Sequence, residues 1–421
     1  MNRKLILYYL AMLLILISWN NPESLPPLIL RLAFISALMI PLVYYRLKSS
    51  PFILLSFVVI SAASYAVSYM PVDGLYLLIA SLILIGCKGY KADGLSIPNG
   101  FILLLILSFV IDLFFSDSLT ISYNWLTIFF VSRYLVPKNN EKYIQFVAFS
   151  FAVISLVLSI QFVAVGDLFV RDVHTAMGDL DRKGWTDPNY FGSVIGIGIL
   201  TSLIELLYYK NHLKLKVFYM LTIVLSSYTI ATTASRGATV ALVFSAVILL
   251  LFSKIKVKYK VSVFVLVFIL LVVMYNFGML DLLLLRFISD EGDLGGRGYI
   301  WETRLSHFVT DLNAFQWLFG IGTEKALTLG TERVLGFHND YLSALVSYGF
   351  IGLLCLFNIL LSPLKKSSRR NKPIVLSLIS YIALCMGSIE PFTGGQWSCL
   401  YFYIFILMLS QINYKYNGNK I

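Results

Sequence analysis

Long apolar runs separated by short polar breaks dominate the chain. A helix needs about 20 mainly apolar residues to cross about 30 Å of hydrocarbon, and about fourteen segments approach that length. They run approximately over 4–19, 28–45, 51–70, 75–87, 97–115, 120–136, 143–165, 190–209, 215–233, 236–253, 259–279, 337–361, 373–389 and 397–413. The fourth is short, and the fifth and sixth are nearly continuous, so the pattern predicts 12 to 14 spans. The runs are continuous rather than alternating, which excludes an outer-membrane barrel. The predicted fold is an all-α integral membrane protein. Its parts are N-terminal spans over 1–165, a loop over 166–189, central spans over 190–279, a large loop over 280–336 and C-terminal spans over 337–421. In the large loop Trp301, Phe308, Phe315, Trp317 and Phe319 predict one or two short helices lying on the face of the bundle.

Composition sharpens this picture. Apolar residues are 58% of the 421, charged residues 13%, and the mean hydropathy is +0.82, too little polar surface for several soluble domains. Disorder, a secreted disulfide scaffold and a soluble nucleic-acid binder are excluded. The four cysteines, Cys87, Cys355, Cys385 and Cys399, sit in or beside apolar runs and read as packing residues. The start resembles a signal peptide, but Trp19-Asn20-Asn21-Pro22 replaces a small-residue cleavage site, so an uncleaved first span is expected.

The net charge of +11 is mostly a topology signal. Lys and Arg are retained on the cytoplasmic side, and most of the 33 basic residues recur on one side of the predicted bundle, from Arg3 and Lys4 through Lys254 to Lys260, Lys365 to Lys372 and Lys420. That side is the cytoplasm, with both termini on it, and a nucleic-acid partner is not expected. Against this rule, Arg171, Arg182, Lys183, Arg236, Arg286, Arg297, Arg304, Lys325 and Arg333 fall in the outer loops and one outer turn.

Several of these outer positions carry candidate chemistry. His338, in Gly336-Phe337-His338-Asn339-Asp340-Tyr341-Leu342, sits before a helix that Asn339 or Asp340 caps; it is either a base kept neutral by the positive helix end or an interfacial packing residue. Arg236, in the turn Ser235-Arg236-Gly237, pairs with a carboxylate or a phosphate, or snorkels. Arg297 lies in a glycine-rich turn suited to an anion, and Arg304, Arg182 and Arg171 are either helpers or solvated charges. Asp187, in Thr186-Asp187-Pro188-Asn189-Tyr190-Phe191, binds a sugar hydroxyl or simply makes a turn. Glu390 is a lone carboxylate at a helix end, either surface charge or ligand; Arg31, Asp112 and Glu205 fall near span ends, where reaching the interface suffices. The histidines are scattered, so neither a metal nor another cofactor is expected.

These pieces occur in an order that resembles the O-antigen ligase and polymerase superfamily. The shared pattern is the Ser-Arg-Gly turn opening a span, Gly296-Arg297-x-x-x-Trp301, Leu318 to Gly322, His338-Asn339-x-Tyr341-Leu342 and Tyr348 to Leu353, within about Leu180 to Leu360. The resemblance implies transfer of a glycan from undecaprenyl pyrophosphate to a sugar hydroxyl at the periplasmic face of the bacterial inner membrane, without cofactor or metal. It implies that His338, Arg236 and Arg297 are catalytic; Arg182, Asp187, Asn189, Tyr190, Arg304, Asn339, Tyr341 and Glu390 are the candidate substrate-binding residues beside them. Asp187 to Phe191 resembles a segment common among polymerases, whose acceptor is another lipid-linked repeat and for which a chain-length regulator is a candidate partner. Ligases use lipid A core as acceptor. A lipid-linked oligosaccharide flippase is the alternative of another class, disfavoured because no inverted repeat is visible and the unusual charges collect outside.

Overall fold

The computed structural model describes residues 74–88, 94–115, 123–136, 141–165, 188–209, 211–233, 235–253, 256–278, 280–281, 283–284, 297–331, 336–390, 392–393 and 397–412. The predicted spans over 4–19, 28–45 and 51–70 lie outside them. Among the described residues the elements are helical, with no strand. In chain order they are α1 (Gly74–Lys88), α2 (Asn99–Phe115), α3 (Tyr123–Phe130, continued by a π turn, Val131–Leu135), α4 (Glu141–Val165) and α5 (Pro188–Tyr208). Next come α6 (Leu213–Thr233), α7 (Arg236–Phe252), α8 (Val257–Asn276), α9 (Arg297–Thr310), α10 (Ala314–Phe319) and α11 (Thr323–Ala326). Finally come α12 (Asp340–Lys366), α13 (Lys372–Cys385) and α14 (Trp397–Gln411). Five of them, α4, α5, α6, α8 and α12, are long and apolar enough to cross a membrane.

The centre of the bundle is α14. No side chain from Tyr401 to Leu409 is more than 5% exposed, as expected of a helix that is apolar all round and enclosed by α3, α4, α5, α12 and α13. By contrast, α8 is exposed along nearly all its described length, with Met274 a buried exception. Small polar residues knit α4, α5 and α6. Ser226 shares hydrogen bonds with Ser155 (2.9 Å) and Ser159 (3.0 Å), and Ser155 also donates to the carbonyl of Ile195 (2.9 Å).

One end of the bundle is tied by polar side chains. Ser96 and Gln411 exchange two hydrogen bonds of 2.7 Å, and Lys366 Nζ donates to Ser96 Oγ at 2.8 Å. The basic turn after α12 falls at this end, as do the C-terminal ends of α5 and α7. Glu205 lies there too and corrects the expectation that it reaches the interface: it is 1% exposed, and its carboxylate accepts from Asn211 Nδ2 at 3.3 Å.

Where one or two short helices were expected between residues 280 and 336, three occur among the described residues, docked on α12. The docking has a backbone cause. Helix α12 is broken at Gly349 (φ 65°), which frees upstream carbonyls; the N–H groups of Ile321 and Gly322 bond to those of Val346 (3.2 Å) and Ser347 (3.0 Å). The approach is so close that a Cβ at Gly349 would sit 2.3 Å from Leu318 backbone, and one at Gly320 (φ 82°) 2.2 Å from Ser347 O. Trp317 Nε1 donates to Phe308 O at 2.7 Å, whereas Phe315 stays 57% exposed and packs at a tilt against Phe319.

Candidate active site

Four helix starts meet at the end of the bundle opposite the basic turns. Ser235, the N-cap of α7, bonds through Oγ to Asn189 Oδ1 at the start of α5 (3.2 Å). On the other side, a Cβ at Gly237 would lie 2.2 Å from Ser388 Oγ, so the arginine turn is pressed against the turn that follows α13. That turn meets the start of α12, where the Asp340 N–H donates to Met386 O at 2.8 Å. Trp301 of α9 donates its indole N–H to Phe337 O at 2.8 Å, bringing in the helix that Arg297 opens. The positive ends of α5, α7, α9 and α12 thus share one neighbourhood with Arg236 and Arg297, both half-buried. The arrangement suits an anion.

His338 lies in the middle of this junction. Its φ of 49° makes it the one non-glycine residue with positive φ among those described. Left-handed backbone at such a residue costs on the order of 1–3 kcal/mol and persists where surrounding bonds over-determine it. Those bonds come from Glu390, which is not the surface charge that was one reading of the sequence. Glu390 is 8% exposed, and its carboxylate accepts the backbone N–H groups of Phe337 and His338 and the Ser343 hydroxyl, with Arg297 an attractive charge nearby. Burial pushes its pKa above the usual carboxylate range, against the opposing pull of these donors and of Arg297. A Cβ placed on Gly336 would be 3.3 Å from Glu390 Oε2 and 4.0 Å from His338 Nε2, so the space above Gly336 is bordered by both side chains.

The two candidate caps of α12 have separate tasks. Asn339 is the N-cap, its Oδ1 accepting the N–H groups of Tyr341 (3.0 Å) and Leu342 (3.2 Å). Asp340, fully buried, accepts the N–H groups of Phe392 and Thr393 (both 2.8 Å) and the Thr393 hydroxyl (2.5 Å). Trp125 Nε1 donates to Phe392 O at 2.7 Å and braces the same turn. Sequence reasoning missed this role of Asp340; an acid in the first turn of a helix signals capping, not a clasp on a distant loop.

Other expected substrate ligands are engaged elsewhere. The Arg304 guanidinium is fully buried, bonded to the carbonyl oxygens of Leu329 and Leu327, and 5.6 Å from the centre of the Phe337 ring. Desolvation lowers its pKa. It is neither a solvated charge nor open to a ligand: it ties the turn over 327–331 beneath Phe337. Tyr341 gives its hydroxyl to Ala383 O at 2.8 Å, and its ring stacks on Phe357. Tyr190 packs against the core. Arg182 and Asp187 lie outside the described residues.

A helical bundle of apolar helices thus brings two arginines, four helix starts and a histidine together at one end, an arrangement suited to an anionic group. Residues 221–357, about a third of the chain, match the family model for O-antigen ligase. The match covers α7 to most of α12, with Arg236, Arg297 and His338, and supports placement in the O-antigen ligase and polymerase superfamily. No curated protein matches the chain.

Proposed function

We propose that the protein is a glycan polymerase of the bacterial inner membrane, with about 14 spans, both termini cytoplasmic and the junction of Arg236, Arg297 and His338 on the periplasmic face. It transfers the growing glycan from undecaprenyl pyrophosphate to a sugar hydroxyl of another lipid-linked repeat. The observation that carries this reading is the convergence of the arginine turn, the start of α9 and His338 at the end of the bundle opposite the basic turns.

The chemistry follows from those groups. The acceptor oxygen attacks the anomeric carbon while the bond from that carbon to the pyrophosphate oxygen breaks. Negative charge grows on the leaving pyrophosphate, where Arg236, Arg297 and the helix N-termini stabilise it in a partly dehydrated site. His338 accepts the hydroxyl proton. Direct displacement inverts the anomeric centre. The acceptor hydroxyl enters over Gly336, between His338 and Glu390.

The family description favours a second reading, a ligase whose acceptor is lipid A core. Gel profiles of lipopolysaccharide from a deletion strain separate them. A polymerase deletion leaves a single repeat on core, and a ligase deletion leaves carrier-linked polymer. Restoration of the full ladder by His338→Ala or Arg236→Ala at normal protein level would contradict both readings.

A further inference from the structure

The segments 336–340 and 386–393 are laced together in both directions. Glu390, on the second, accepts the N–H groups of residues 337 and 338 on the first. Asp340, on the first, accepts N–H groups of Phe392 and Thr393 on the second and gives its own N–H to Met386 O. Each carboxylate therefore satisfies backbone donors that its own segment cannot, and between them stands the strained backbone of His338. Leaving a buried N–H without an acceptor is costly, as is the strain at His338, so the bonds and the strain offset each other. Without the carboxylate at position 390 the two N–H groups that flank the strained bond lose their acceptor.

We infer that Glu390 is the positioning residue of the reaction: its carboxylate, in a reciprocal clasp with Asp340, holds His338 where its imidazole reaches an acceptor hydroxyl over Gly336. This inference rests on the reading of His338 as the base. Glu390 is assigned positioning rather than proton transfer because its carboxylate already accepts three hydrogen bonds, two of them from the backbone that carries His338. Its charge acts on His338 as well, since an adjacent carboxylate favours imidazolium. The charged groups around that imidazole are Glu390, Arg297 beside it, Arg236 on the neighbouring turn and Asp340, whose oxygens face 392–393.

The test is steady-state transfer by the purified full-length protein on a lipid-linked repeat in detergent. Glu390→Ala should lower kcat about 10- to 100-fold, the usual consequence of a base displaced by about an ångström, with acceptor KM within about threefold. Glu390→Gln keeps an oxygen acceptor for the two N–H groups and should recover to within about fivefold of wild type. Because it removes the negative charge, it should also move the acid limb of the pH–rate profile to lower pH. The glutamine variant decides the matter even if the alanine variant does not fold. A Gln variant as impaired as Ala, an unmoved acid limb, or a Glu390→Ala enzyme at the wild-type rate would each overturn the clasp. A His338→Ala enzyme at the wild-type rate would instead overturn the functional reading beneath it.

Discussion

Arg304 and Glu390 are both charged, both buried and both bonded to backbone, yet they hold opposite kinds of turn. Arg304 donates to carbonyl oxygens of the 327–331 turn, and no open face of its guanidinium remains beside the site. Glu390 accepts N–H groups from the turn that carries His338, and one of its oxygens still borders the space above Gly336. The charge whose guanidinium is enclosed and bonded to backbone carbonyls holds a turn. The charge that keeps a side toward open space, next to a strained residue and a second charge, is the one our proposal assigns to the chemistry.

The comparison breaks most sharply at His338. His338→Ala should lower transfer about 10² to 10⁴-fold with protein level unchanged, read as loss of chain elongation by purified enzyme. Arg236→Ala and Arg297→Ala should each cost about 10² to 10³-fold in kcat, with lysine recovering part, since a point charge replaces a planar fork. Arg304→Met probes the other side of the comparison. It leaves the Leu327 and Leu329 carbonyls without their donor, so the loop should lose about 3 kcal/mol of local stability and trypsin should cut faster after Lys325. Chemistry per folded molecule should fall far less than with Arg297→Ala. Gly336→Ala places a methyl group between the two site side chains and should raise acceptor KM severalfold while kcat changes less.

The smallest effect is on pH-dependent stability. The folded pKa of Glu390 lies above its unfolded value because of burial. Its contribution is therefore fully present below the ordinary carboxylate pKa and is lost as pH rises through the raised value. Melting of wild type in detergent should fall across that window, and Glu390→Gln should lack that component.

The helices were legible because apolar runs of span length leave few alternatives: the eleven long segments from α1 to α8 and α12 to α14 fall within a few residues of where the pattern put them. The large loop was legible only as aromatic anchors. Its docking depends on carbonyls freed at Gly349, a long-range consequence of one residue's backbone that no local pattern reveals. At the candidate site, His338 stood out by its place before a helix cap, and Arg236 and Arg297 as cations where topology disfavours them. Arg304 stood out for the same reason and serves structure instead. Glu390 and Asp340 each looked like local features of a helix end, because a carboxylate's partners 52 or 53 residues away leave no trace in spacing.

The most direct measurement is elongation of a purified lipid-linked repeat by the purified protein, wild type beside His338→Ala at equal amounts of folded enzyme. The account predicts longer carrier-linked glycan with wild type and almost none with the variant. Equal elongation by both would contradict it, because the junction around His338 would then have no part in the chemistry.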